Sequence, residues 1–138
     1  MAGELAGKNI LIVEDDPDMV AALQAVLTET GATIQTAADG NTAVDLVASF
    51  NPDLIILDQM LPKRSGLLVL EKIKGPNKKK GQRPFIIMIT GNEGKRHQSY
   101  AESLGVDGYL NKPFRMDRLL ETIHRLLAGP SAVSGASS

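Results

Sequence analysis

Residues 9–18 read NILIVEDDPD, a strand-length aliphatic run that passes directly into Glu14, Asp15 and Asp16. Like charges side by side repel, and burial penalises each one. Acids at the end of such a strand therefore either stay in water or gather something positive. Pro17 suits the first turn of a helix, which makes Asp16 its expected N-cap. Glu14 and Asp15 remain as the pair to be explained.

Working outward, further runs of strand length lie at 33–37 (TIQTA), 53–57 (DLIIL), 85–89 (FIIMI) and, more weakly, 107–110 (DGYL). Helical periods separate them. Val20, Leu23, Leu27 and Thr30 mark a first helix that Gly31 would stop. Ala43, Val44, Val47 and Ala48 mark a second, Leu67, Leu70 and Ile73 a third, and Leu119, Leu120, Ile123, Leu126 and Leu127 a fifth. The fourth, within residues 92–104, is thin: Gly94 interrupts it, and its candidate core residues are Tyr100, Ala101 and Leu104. Five strands alternating with five helices predict a doubly wound five-stranded parallel α/β sheet with helices on both faces, since each right-handed crossover carries its helix back over the sheet. The continuous apolar runs fit strands buried on both sides.

The chain has 138 residues, 43% of them hydrophobic, which suits one domain with a proper core. That domain is expected over residues 8–128, between an N-terminal tail (1–7) and a flexible small-residue tail (129–138). Fifteen basic against sixteen acidic residues leave a net charge of -1, so no direct nucleic-acid binding and no attraction to a membrane are expected. Without cysteine there is no disulfide, thiolate nucleophile or cysteine metal site. The start lacks the pattern of a signal peptide and no apolar run approaches the roughly 18 residues of a membrane span, so the cytoplasm is the expected compartment.

The polar residues form a pattern of their own. Glu14 and Asp15 follow the first strand, Asp58 ends the third, Thr90 ends the fourth and Lys112 follows the fifth. In doubly wound sheets ligands bind beyond the carboxyl ends of the strands, where the winding reverses. If strands one and three are neighbours, about 4.8 Å apart, their carboxylates converge and call for a divalent cation or a lysine. Magnesium suits such a set because it takes oxygen ligands and commonly joins carboxylates to phosphate. Carboxylate, hard metal, hydroxyl and ammonium together suit phosphoryl transfer onto a carboxylate, with Asp58 in the middle as nucleophile.

On these residues the chain resembles the receiver domains of bacterial two-component response regulators: LIVEDDP, DLIILDQMLPKRSG, IMITG and GYLNKPF occur in order over about residues 8–128. The resemblance implies a flavodoxin-like strand order 2-1-3-4-5. It makes Asp58 the phosphoacceptor, with Asp15 touching Mg2+ directly, Glu14 through water, and the backbone carbonyl of Met60 completing the protein's share. It also implies that Thr90 is the switch hydroxyl, Lys112 the lysine before Pro113, and Tyr109 the aromatic that rotates on activation, with Pro62 and Gly66 shaping the site loop. Gly91 stands where the family most often has alanine, and Met60 and Asn92 occupy positions that tune the lifetime of the phosphorylated state. The implied partner is a histidine kinase or histidine phosphotransfer protein. The implied output is a downstream protein, a fused domain or a phosphorylation-dependent dimer, docked where the fourth helix, fifth strand and fifth helix meet.

Simpler readings compete. Asp58, Thr90 or Lys112 alone would pass as a turn residue, a satisfied hydroxyl or a solvated lysine, and Tyr109 as core. His97 and His124 have no ligand partner at helical spacing and read as surface residues. Lys78, Lys79, Lys80 and Arg83, in the loop 75–84, lack an aromatic to stack a base and read as solvated. The alternative function is a magnesium-dependent phosphohydrolase with an aspartyl-phosphate intermediate. It needs a second acid near its nucleophile, where this chain has Met60, and an enclosing cap, for which no segment is apparent.

Overall fold

The computed structural model describes residues 3–59, 61, 66–74, 83–91, 99 and 101–137. Its elements are β1 (Asn9–Val13), α1 (Pro17–Thr28), β2 (Thr33–Ala37), α2 (Gly40–Phe50), β3 (Leu54–Asp58), α3 (Gly66–Lys74), β4 (Phe85–Thr90), β5 (Gly108–Asn111) and α4 (Met116–Ser137). The strands form one parallel sheet in the order β2-β1-β3-β4-β5. This is the expected flavodoxin-like α/β fold, with strand bounds within a residue of those read from the sequence.

Alternation along the strands sends successive side chains to opposite faces and so divides the core in two. Ile10, Ile12, Leu54, Ile56, Ile87 and Ile89 pack under Leu23 and Leu27 of α1 and Leu119, Ile123 and Leu127 of α4. Leu11, Val13, Ile55, Leu57, Ile86 and Met88 pack under Ala43 of α2 and Val69, Leu70 and Ile73 of α3. Strands β1, β3 and β4 are covered on both sides, which is why each reads as an unbroken aliphatic run. The edge strands β2 and β5 are partly exposed, and their sequences are correspondingly mixed.

Local chemistry sets the helix ends. The side chain of Asp16 accepts from the Asp18 N–H (3.0 Å) and Asp39 caps α2 through the Thr42 N–H (2.8 Å). Asp16 is therefore the N-cap that Pro17 announces. Beyond α1 the chain reverses at Gly31 (φ +89°), where an added Cβ would lie 2.9 Å from the Gly3 Cα. Of the described helices none is long and apolar enough to cross a membrane.

Several features differ from the expectations. The segment read as an N-terminal tail packs: Leu5 is 3% exposed and its N–H donates to the Thr30 carbonyl (2.8 Å). A single leucine among small residues carries no periodicity, so its burial was not legible. At the other end the helical backbone of α4 runs to Ser137, through the segment 129–137 read as part of a tail. Ala48, read as core, is exposed on α2. The predicted fourth helix lies largely outside the described residues. Residues 101–103 are helical, with Ala101 fully buried, and the predicted fifth helix is α4.

The burial of Leu5 generates a direct check. Leu5→Ala should lower the urea-unfolding free energy by about 2–4 kcal/mol, as for other large-to-small changes in a core. An unchanged midpoint would return residues 3–8 to the status of a tail.

Candidate functional site

The site follows from register. Val13 pairs with Leu57, so Glu14, the next residue of its strand, comes beside Asp58. Asp58 pairs with Ile89, the residue before Thr90, and Thr90 pairs with Asn111, the residue before Lys112. The Lys112 N–H continues this ladder by donating to the Thr90 carbonyl (2.7 Å). Four adjacent strand ends thus line up Glu14, Asp58, Thr90 and Lys112 along the carboxyl edge of the sheet, and Asp15 joins them from the β1–α1 turn.

Carboxylate oxygens of Glu14, Asp15 and Asp58 all lie within 4.8 Å of one another. Glu14 and Asp58 are buried, at 4% and 3% exposure, whereas Asp15 is exposed and offers its oxygens from the solvent side. The Lys112 Nζ lies 3.3 Å from Glu14 Oε1 and 3.6 Å from Asp58 Oδ1. The other Glu14 oxygen accepts the Asp16 N–H (3.2 Å), which ties the carboxylate to the start of α1. Thr90 is fully buried. Three hard oxygen donors converging from two strand ends suit a small divalent cation, and neither a histidine nor a thiol among the described residues competes for the position.

The electrostatics carry the strain of this crowding. Burial first, and the neighbouring Asp58 charge second, push the Glu14 carboxyl up to about 7. Burial pulls the Lys112 ammonium down, but attraction to Asp58 and Glu14 outweighs it and holds its pKa above the usual lysine value.

Backbone packing fixes Gln59 and Gly66 beside the site. The Gln59 N–H donates to the Ile89 carbonyl (2.9 Å) and the Gly66 N–H donates to the Gln59 carbonyl (2.7 Å). A Cβ on Gly66 would lie 2.3 Å from the Asp58 carbonyl oxygen, so only glycine lets the start of α3 approach the Asp58 backbone this closely. At Gly91 an added Cβ would meet none of the described residues within 4 Å.

The expected site residues Glu14, Asp15, Asp58, Thr90 and Lys112 therefore meet at one place. Tyr109 is half-buried, and its hydroxyl donates to Gln59 Oε1 (3.4 Å). Burial first, then the Glu102 charge, raise its phenol pKa. Met60, Pro62 and Asn92 lie outside the described residues, as do His97 and Lys78, Lys79 and Lys80. His124 is on α4 against the Glu4 carboxylate, and Arg83 pairs with Asp53 at the opposite end of the sheet. Neither belongs to the site. The residue that sequence reading missed is Gln59, buried at 4% exposure directly after Asp58. In the sequence it looks like an ordinary polar turn residue; only its adjacency to Asp58 marks it.

The raised Glu14 pKa has a definite sign. In the folded protein this carboxyl holds its proton to about pH 7, against an ordinary value of 4.5 in the free chain. Its contribution to stability is therefore fully present below about pH 4.5 and is lost as pH rises through about 7. In magnesium-free buffer, wild-type protein should lose roughly 1–3 kcal/mol from this group between pH 5 and pH 8, and Glu14→Gln should flatten that slope. Identical pH profiles of urea unfolding for the two proteins would contradict the assignment.

Comparison with known proteins agrees with this geometry. The family model described as the response regulator receiver domain matches residues 10–124. The transcriptional regulatory protein DltR of Streptococcus agalactiae is 36% identical over 115 residues, covering 83% of this chain and 50% of that protein. TcrA of Mycobacterium tuberculosis, also a transcriptional regulatory protein, is 36% identical over 126 residues, covering 90% and 47% respectively. The chain thus spans about half the length of these relatives. Among solved structures, the receiver domain of the Pseudomonas aeruginosa sensor histidine kinase PA1611, with a magnesium ion coordinated in its active-site cleft, superposes with a TM-score of 0.76 at 30% identity, covering 90% of this chain and all of that one (100%). A sheet wound 2-1-3-4-5, with its acidic cluster at the strand ends where the family model matches, places this chain in the response regulator receiver domain family.

Proposed function

We propose that Asp58 accepts a phosphoryl group from a phosphohistidine of a histidine kinase or histidine phosphotransfer protein, and that the modification switches a partner-binding face. The observation that carries this reading is the convergence of Glu14, Asp15 and Asp58 within 4.8 Å, with the Lys112 ammonium 3.6 Å from the Asp58 carboxylate. As a receiver domain the chain is a phosphoacceptor signalling module and not a standalone enzyme, so the phosphohydrolase reading falls away.

In the transfer, an Asp58 carboxylate oxygen bonds to phosphorus as the P–N bond to the donor imidazole breaks, and the departing ring takes a proton from solvent. Lys112, now shared between Glu14 and Asp58, would pair with a phosphoryl oxygen, and the Thr90 hydroxyl would donate to another. Glu14, Asp15 and Asp58 would hold a magnesium ion, with the Met60 carbonyl that the family resemblance implies; it would supply positive charge against the phosphoryl oxygens. The cluster fits that ion because its donors are all oxygens and one side is open to water at Asp15.

The phosphoryl group adds a charge of about -1.5 to -2 and three acceptor oxygens. Drawing Thr90 towards it empties space on the face of the sheet that Tyr109 shares, because Tyr109 pairs with Met88 and Thr90 lies two residues further along the same strand. Tyr109 moving into that space would change the surface around β5, the helical residues 101–103 and α4. A downstream protein, a fused output segment or a second copy of the chain would dock there. The module would work in the cytoplasm, where a kinase presents its phosphohistidine.

Incubation with acetyl phosphate and magnesium should add one phosphoryl group, visible by intact mass. Asp58→Asn should abolish the addition and Lys112→Met should slow it by an order of magnitude or more, as for loss of a transition-state charge partner. Label persisting in Asp58→Asn would place the acceptor elsewhere.

A further inference from the structure

The buried side chain of Gln59 is used by nothing in the transfer step just described, yet it joins the acceptor to Tyr109. Its backbone is pinned on both sides, by the Ile89 carbonyl and by the Gly66 N–H, and the Gly66 Cα region presses on its Cα: a Cβ at Gly66 would come within 2.6 Å of it. The residue therefore has little freedom to follow a neighbour that moves. Its Oε1 accepts the Tyr109 hydroxyl at 3.4 Å, the hydrogen bond that connects this tyrosine to the site loop. At that length the bond is weak, so modest forces can exchange it. The ring of Tyr109 is half-buried, packed against the Leu57 and Met88 side of the core on one edge and open to solvent on the other.

From these contacts we infer that Gln59 is a positioning residue that latches Tyr109 in the resting arrangement, so that switching the domain requires this hydrogen bond to break. The inference rests on Asp58 being the acceptor. When Thr90 is drawn to the phosphoryl group and Tyr109 follows into the vacated space, the phenol leaves a Gln59 whose backbone stays in place. The bond then stabilises the unmodified state alone. By thermodynamic reciprocity, any group that favours the resting state weakens binding of whatever favours the switched one. Removing the latch should therefore tighten the site for a phosphoryl mimic. A residue that only maintained the loop would have the opposite effect when replaced.

The test is the affinity of the full chain for beryllofluoride in the presence of magnesium, measured by calorimetry for wild type, Gln59→Met, Tyr109→Phe and the double variant. Gln59→Met keeps the length of the side chain and loses the acceptor; Tyr109→Phe keeps the ring and loses the donor. Each single change should tighten binding about 2- to 5-fold, the lower part of the range for one hydrogen bond, as its length implies. The double variant should bind no tighter than either single variant, since the two changes delete the same bond. Unchanged or weaker binding in Tyr109→Phe, or effects that multiply in the double variant, would overturn the latch. Asp58→Asn separates the two levels of the argument. If it binds the mimic as well as wild type does, or if wild type does not bind at all, the acceptor assignment itself falls and takes the latch with it.

Discussion

Crowding of like charge at the carboxyl ends of β1 and β3 is the constraint that governs the site. Among the described residues, three carboxylates within 4.8 Å of one another are met by the ammonium group of Lys112. Two of the three are almost fully buried, so water screens them poorly. The raised pKa of Glu14 is the signature of that situation: in the absence of a cation, folding makes this group harder to ionise. A site that stores repulsion is receptive to anything that removes it. A divalent ion would do so directly, and in the proposed function it would also prepare the site for a phosphoryl group that otherwise meets an anionic surface.

Such a cluster is tolerable because the sheet beneath it is independent of it. β1, β3 and β4 are covered on both faces by aliphatic side chains, and the two cores are complete without any polar residue of the site. The functional residues come at or just beyond the last hydrogen-bonded pairs, where side chains leave the core and the backbone turns towards helices. Gly66 lets α3 begin hard against Asp58 and Gln59, and hydrogen bonds hold the Gln59 backbone from both sides. Asp58 lies on a central strand; Tyr109, through which the change would travel, lies on an edge strand with a half-exposed ring.

Much of this was legible because the informative residues are clustered in the sequence. The strands buried on both sides announce themselves as unbroken aliphatic runs, and Pro17 separates the capping Asp16 from the site acids Glu14 and Asp15. The strand order was not derivable from the periodicity. It came with the family resemblance, and the pairing of β1 with both β2 and β3 bears it out. Illegible features share a physical character: they depend on partners distant in the chain. Leu5 is core because Thr30 accepts its N–H, and a lone leucine shows no period. Gln59 matters because Tyr109 lies 50 residues away, and adjacency to Asp58 alone does not reveal that contact. Asp107 is buried like Asp58, but its carboxylate accepts the Ile86 N–H (2.9 Å) at the opposite end of the sheet, where it serves the strand start. Sequence alone gives two aspartates beside strands; the end of the strand decides which one does chemistry.

The central claim is that the acids are gathered to hold a cation, and calorimetric titration with magnesium at pH 7.5 tests it most directly. Wild-type protein should bind one ion, Asp15→Asn should bind it much more weakly, and Asp16→Asn, which removes only a helix cap, should bind it nearly as well as wild type. Equal affinities for wild type and Asp15→Asn, or a loss in Asp16→Asn as large as that in Asp15→Asn, would contradict the account.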